Sequence, residues 1–319
     1  MNLFPYAISN ALGWTILHSL WQGMLIAILA AVVLLFMRHQ PAQWRYRVTG
    51  LAMLLLLLTS VATFYWYTQQ DARTLAENAS AMAPADATDA PPMTADITAA
   101  TTSDSTTTTV TQSNVLGAFI QRAGTYFEPH LSLIALLWCF GFGAYLLRLL
   151  GNIGQVYYLK KQRNFPADEY WADIKNQLLQ KAGLRTAVEL VESTLVRTPL
   201  VVGHIKPYIM FPIGLINRLD PYEVEAIIAH EIAHIVRRDY LFNILQSLVE
   251  TLFYYHPAVW WMSGEMRRER EIAADDMAIA LTGNAVNYAK ALVVVQELAY
   301  FPMSTALAFA GNRKSQLFT

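Results

Sequence analysis

The chain has 319 residues, 55% of them hydrophobic and only 15% charged, and a mean hydropathy of +0.29; this excludes an ordinary soluble composition and points to a membrane protein. The formal net charge is −1, and the basic residues sit beside apolar segments instead of in one long run, which removes a nucleic-acid partner. The single Cys139 forms no internal disulfide and lies in an apolar stretch, where a packing role is expected.

Gly13 to Phe36 carries no formal charge and is long enough to cross a hydrocarbon core about 30 Å thick as a helix. It lacks the basic leader of a cleaved signal peptide, since its first flanking charge, Arg38, follows the apolar core. A second span is predicted over 49–67, closed by the aromatic belt Phe64, Tyr65, Trp66 and Tyr67. Residues 1–68 thus read as a transmembrane hairpin in the lipid bilayer. Arg38, Arg45 and Arg47 fall between the spans, so the positive-inside rule puts the connection in the cytoplasm and the N-terminus outside. His18 and Gln22, one turn apart in the first span, form a polar stripe that faces protein, for interhelix packing or for coupling to a third span.

Residues 69–130 turn to Ala, Thr, Asp, Ser and Pro and predict a disordered extracytoplasmic linker, with Val115 to Phe127 able to form a short amphipathic helix. A third span over 131–150 returns the chain to the side of Lys160, Lys161 and Arg163, so both basic clusters agree on topology. His39 and His130 flank spans as interfacial residues. Residues 151–319 then read as a cytoplasmic, membrane-associated α+β domain, which makes the fold class α+β: a multi-pass helical membrane protein with an α+β globular domain. Its predicted elements are a helix around Ala167 to Ala182 and strands near Val188 to Val196 and Pro207 to Phe211, with His204 in a turn between them. A further helix starts at Asp220, whose cap is completed by Pro221 and Glu223.

That helix leads into His230-Glu231-Ile232-Ala233-His234, an H-E-x-x-H pattern. Four-residue spacing puts both imidazoles on one face, about 6 Å apart along the axis, where they share one zinc ion, and it sets Glu231 beside them to take a proton from water and pass it to a leaving amine. Chance alone yields the pattern in on the order of one chain in a hundred, so a third ligand is required. Glu271 supplies it, opening an E-x-x-x-D pattern in which Asp275 lies one turn on and can orient a ligand histidine. Glu269 and Asp276 are rival ligands, and a surface salt bridge to Arg268 or Arg270 is the plain alternative for Asp275. Arg237, Arg238 and Asp239 read equally well as a solvated helix end. Tyr240 to Met262 is apolar, but His234 and Glu271 must meet on one side of the bilayer. It therefore reads as a buried or membrane-grazing helix broken near His256-Pro257, with His256 a turn or packing residue ahead of a transition-state donor.

These residues, with His18 to Gly23, Pro199 to Pro207, Arg238-Asp239, Asn243, His256-Pro257 and Trp260, resemble the BlaR/MecR-type membrane metallopeptidases, the antirepressor and beta-lactam-sensing signal transducers of bacteria. The resemblance implies a cytoplasmic gluzincin domain between spans of the bacterial inner membrane. It also implies a protein substrate such as a transcriptional repressor or other regulator; homodimerisation stays open. The best-known members add a further C-terminal span and an extracytoplasmic sensor. This chain reaches Thr319 without another convincing span or a penicillin-binding Ser-x-x-Lys domain, and so reads as a fragment or shortened member in which beta-lactam sensing is unsupported. A membrane housekeeping peptidase and a non-catalytic zinc-binding receptor or scaffold are the alternatives.

Overall fold

A computed structural model describes residues 3–81, 122, 124–161, 164–203 and 206–300. Most of the expected linker, most of the helix expected from Val115 to Phe127, His204 and the segment Gly311 to Thr319 lie outside the described residues.

Among the described residues the protein is mostly helical, with one small sheet. Among the described residues three stretches are long and apolar enough to cross a membrane: Ile8–Phe36 within helix α1 (Leu3–Phe36), Ala42–Gln70 within α2 (Ala42–Ala81), and Gly124–Lys161, most of which is α3 (Leu131–Lys161). Two boundaries differ from expectation. Helix α2 starts at Ala42, which places Arg45 and Arg47 in its first turns instead of in the connection. It also runs on to Ala81, into the expected linker, because Asp71 to Ala81 contains no Gly or Pro and is rich in the good helix formers Ala, Leu, Arg and Glu.

The chain divides into two compact units, residues 1–20 with 58–139, and residues 21–57 with 140–319. In the first, Trp14 of α1 stacks on Tyr67 of α2 with ring centroids 5.8 Å apart, and His18 Nε2 lies 2.9 Å from the Tyr67 hydroxyl. His18 of the expected polar stripe therefore packs against α2. Cys139 of α3 is exposed, which corrects the expected packing role; an apolar helix made to meet lipid presents such side chains outward.

In the second unit a four-stranded sheet has the order β1 (Asn164–Pro166), β2 (Glu189–Ser193), β4 (Tyr208–Pro212), β3 (Leu200–Val202). Strands β2 and β4 pair in parallel, while β1 and β3 are antiparallel edges. The two central strands are those visible in the sequence, whereas each three-residue edge is too short to leave a periodic signal. Helix α4 (Glu169–Lys181) and helix α5 (Pro221–Val236) cover the sheet, with Leu178, Ile209, Phe211, Val224, Ile228 and Ile232 in their shared core. The α5 start forms the expected capping box, in which the Asp220 side chain bonds the Glu223 backbone and the Glu223 carboxylate accepts from Asp220 N–H at 2.9 Å.

Helices α6 (Asp239–Leu252) and α7 (Pro257–Thr282) are separated by the break expected at His256-Pro257, and α8 (Ala285–Tyr300) follows. Val249, Phe253, Val259, Met262 and Met266 of this hairpin pack on Ile26, Ala27 and Ala30 of α1 and on Met53 and Leu56 of α2. His256 is fully buried at the turn, and its Nδ1 accepts the Ala258 N–H at 3.1 Å, capping α7. Its ring packs against Gly23, where an added Cβ would sit 2.3 Å from Nε2. Capping and close packing thus explain both the histidine and the glycine, and His256 is absent from the cleft described next.

Candidate metal centre

Helix α5 is built to deliver two imidazoles from one face. Its opposite face buries Val224, Ile228 and Ile232 in the domain core, so the rotation of the helix is fixed and His230 and His234 are turned toward α7. Their Nε2 atoms stand 3.2 Å apart, with the rings nearly perpendicular at 87°. Glu271 of α7 closes the triangle, its Oε2 lying 3.7 Å from each Nε2. Donor atoms each about 2.0–2.1 Å from a single tetrahedral ion stand about 3.3 Å apart. The three side chains therefore fit one zinc ion after a contraction of a few tenths of an ångström, and two neutral imidazoles with one carboxylate suit its preferences. The rival carboxylate Glu269 points elsewhere: it is 1% exposed and pairs with Arg45 of α2 at 2.9 Å.

The outer imidazole nitrogens are also held. His230 Nδ1 lies 3.1 Å from Asp275 Oδ1 and 2.8 Å from the Tyr288 hydroxyl, which itself donates to Asp275 at 2.6 Å. Asp275 thus reaches the histidine rather than forming the plain salt bridge. His234 Nδ1 donates to Asp239 Oδ2 at 2.7 Å. Asp239 is buried, so the solvated-helix-end alternative is corrected for this residue. The chain achieves the contact by ending α5 with Arg238 in the left-handed region, φ 55°, the only non-glycine with positive φ among the described residues. That conformation costs about 1 kcal/mol or more for an L-residue and folds Asp239 back under His234. Arg237 joins the same hub: it donates to the Arg270 carbonyl at 3.0 Å, lies 3.4 Å from Asp239 Oδ1, and sets its guanidinium 5.3 Å over the Tyr46 ring.

The sequence did not single out Tyr288, because a tyrosine in an apolar helix ordinarily reads as core. Asp239 did carry a signal, five residues after His234 and past a helix end, but that spacing places two side chains together only through the left-handed residue.

The electrostatics of the triangle follow from its burial and from the charges around it. Burial by itself lowers the affinity of His230 for a proton, but the hydrogen bonds to Asp275 and Glu271 and the nearby Glu231 charge outweigh it and raise its pKa to about 10. Burial pushes the Glu271 carboxyl up, yet His230, His234 and Arg270 pull it down to about 2. Glu231 is 7% exposed; burial and the Glu271 charge raise its carboxyl above the usual range, against the pull of both histidines. Zinc must therefore displace the His230 proton at neutral pH, whereas Glu271 is already ionised. Below a pH of about 10, apparent affinity is expected to rise nearly tenfold per pH unit, and above it to level off. Calorimetric zinc titrations near pH 8 in buffers of different ionisation enthalpy should show about one proton released per ion; no release would overturn the expectation.

The triangle opens into a cleft of about 1260 Å³. Its walls come from β3 and its approach (Pro199 to Gly203), from α6 (Asn243, Ile244, Leu248) and from the last turns of α3 (Leu149, Ile153, Val156). Glu231 lines the cleft beside the two histidines.

Residues 14–316 match the family model described as BlaR1 peptidase M56. The chain belongs to that family. Similar proteins include the Regulatory protein BlaR1 of Bacillus licheniformis, 27% identical over 139 residues, 44% of this chain and 23% of that protein. The Methicillin resistance mecR1 protein of Staphylococcus aureus is 29% identical over 83 residues, covering 26% of this chain and 14% of that protein. Protease HtpX homolog 2 of Methanosarcina acetivorans is 27% identical over 27% of this chain and 40% of its own length. Each match thus covers less than half of the relative's length. As a BlaR1 peptidase M56 member, the chain has a protease family and an implied metal, and its His230, His234 and Glu271 triangle is compatible with zinc.

Proposed function

We propose that this protein is a membrane-embedded zinc endopeptidase, with His230, His234 and Glu271 as metal ligands, Asp275 orienting His230, and Glu231 as general base. The observation that carries the reading is the convergence of both Nε2 atoms and Glu271 Oε2, at 3.2–3.7 Å, beside a buried carboxylate at the head of a peptide-sized cleft. A zinc ion held there supplies Lewis-acid polarisation of the scissile carbonyl and lowers the pKa of water. Glu231 takes the proton from the attacking water, and its raised pKa brings it closer to the range in which it can hand that proton to the departing amine. Asp275, Tyr288 and Asp239 hold the two imidazoles in one tautomer and one orientation.

In this reading residues 1–68 form a membrane hairpin with the N-terminus outside, 69–130 a mainly extracytoplasmic linker, 131–150 a third span, and 151–319 a cytoplasmic gluzincin domain at the bacterial inner membrane. The proposed substrate is a protein regulator, such as a transcriptional repressor, in keeping with relatives named as a regulatory protein and a methicillin resistance protein; membrane quality control is the second reading, in keeping with the similarity to a protease HtpX homologue. A single physiological regulator cleaved by the wild type favours the first; many misfolded membrane proteins favour the second.

The test is hydrolysis of an unstructured polypeptide by the purified full chain in a bilayer mimic. Chelation is expected to abolish cleavage and stoichiometric zinc to restore it. Cleavage that persists in the metal-free protein would overturn the assignment.

The substrate is expected to lie along β3, an edge strand that is antiparallel to β4 through Val201 and Ile209 and lines the cleft. Each strand hydrogen bond contributes about 0.5–1.5 kcal/mol. Methylating single backbone nitrogens of a peptide substrate should therefore raise KM about two- to tenfold at every second position upstream of the scissile bond. The absence of that alternation would exclude strand addition.

A further inference from the structure

A second cavity, of about 410 Å³, lies away from the metal centre, between the end of α1, the start of α2 and the middle of α7. Its lining is of two kinds. Ala31, Leu34, Leu35 and Trp261 form an apolar wall, and Arg38, Arg45 and Arg268 meet Glu265 and Glu269 on the other side. Arg45 and Arg268 bracket one carboxylate, with nitrogens 2.9 Å and 3.8 Å from the two oxygens of Glu269, and Arg268 also pairs closely with Glu265. Arg38 is exposed, makes no ion pair among the described residues, and spends its Nε donor on neighbouring His39 at 3.0 Å. Three guanidiniums against two carboxylates leave the cavity one positive charge in excess, and the unbalanced one is Arg38.

The position of this cavity in the chain says what it faces. Leu34 and Leu35 belong to the last turn of a stretch apolar enough to cross a membrane, which ends at Phe36, and Arg38 is the first charge beyond it. Trp44 and Trp261, both more than a third exposed, stand at the same end of these helices, as aromatic side chains do at a membrane surface. A cationic rim beside an apolar wall that exposes Leu35 and Trp261, where a hydrocarbon span ends, matches a ligand with an anionic head and an aliphatic tail.

We propose that this cavity binds the headgroup of an anionic phospholipid. Arg38 and Arg268 contact the phosphate, and the first carbons of an acyl chain lie on Leu34, Leu35 and Trp261. Free phosphate shares the head chemistry but leaves that wall uncovered, so the lipid is the source the cavity favours.

The test uses the full chain in nanodiscs of phosphatidylcholine doped with phosphatidylglycerol, with bound lipid read by native mass spectrometry after release. Wild type is expected to retain phosphatidylglycerol roughly tenfold over phosphatidylcholine, and the double variant Arg38→Gln/Arg268→Gln to lose most of that preference. The double lysine variant keeps the charge and is expected to keep the preference, which separates loss of the site from loss of the fold. Equal retention of both lipids by wild type, or an unchanged preference in the glutamine variant, overturns the proposal. Inorganic phosphate is expected not to compete at millimolar concentration; displacement of the lipid by phosphate alone would make the site a phosphate site and overturn the lipid assignment.

Discussion

Replacing Glu231 with Gln is expected to reduce peptide hydrolysis by about 10²–10⁴-fold while leaving the zinc content at the wild-type level. The amide has the size of the carboxylate and keeps a hydrogen-bonding oxygen, but it cannot accept the proton that attacking water must give up. The site is well placed to separate these two properties. Glu231 lines the cleft between residues whose donor atoms form the triangle, and it belongs to no pair in that triangle. Its burial also means that Gln removes a desolvated charge from the interior, so the variant is expected to be at least as stable as wild type. Purified proteins would be compared for zinc by mass spectrometry and for cleavage of one polypeptide under single-turnover conditions. Retained cleavage within threefold of wild type would remove Glu231 from the chemistry. Lost zinc would mean that its carboxylate holds the metal instead.

The residues proposed as metal ligands are legible because metal binding imposes a spacing on a helix: His230 and His234 share a face, and one further carboxylate has to arrive from another element. Choosing Glu271 over Glu269 from sequence was a choice between two residues two positions apart, and the helix rotation set by Met262, Met266, Ala274 and Ala278 decides it. Those buried positions turn Glu269 onto Arg45 and Glu271 onto the histidines. The break at His256-Pro257 was legible because proline cannot continue a helix from its predecessor, and the bilayer left no length for two crossings. The reason for the buried histidine was not, since its ring packs against Gly23, far away in the chain, and close approach of a side chain to a distant glycine leaves no local pattern. The edge strands were missed for want of length. The role of Asp239 was left open and Tyr288 was missed, because both depend on tertiary geometry that local periodicity does not encode.

Asp239 is accordingly the residue on which the structure departs furthest from the sequence reading, and its removal carries the second large expected effect. Asp239→Ala deprives His234 of its 2.7 Å acceptor and should weaken zinc about 10–100-fold, the range found when a carboxylate behind a ligand histidine is lost. It also strips Arg237 of the charge 3.4 Å away, leaving a mostly buried guanidinium balanced only by the Arg270 carbonyl and the face of Tyr46. A fall in thermal stability should therefore accompany the loss of metal. Asp239→Asn tells the two effects apart: its side-chain oxygen can still accept from His234, so zinc should weaken less than in the alanine variant, while the charge opposite Arg237 is lost in both. Tyr288→Phe removes one hydroxyl but leaves Asp275 on His230, and is expected to cost less metal affinity than Asp239→Ala. Competition against a chelator of known affinity ranks the three. If zinc affinity in Asp239→Ala matches wild type while stability falls, Asp239 serves only the ion pair with Arg237, and the orientation of His234 must be fixed by the packing of α5 alone.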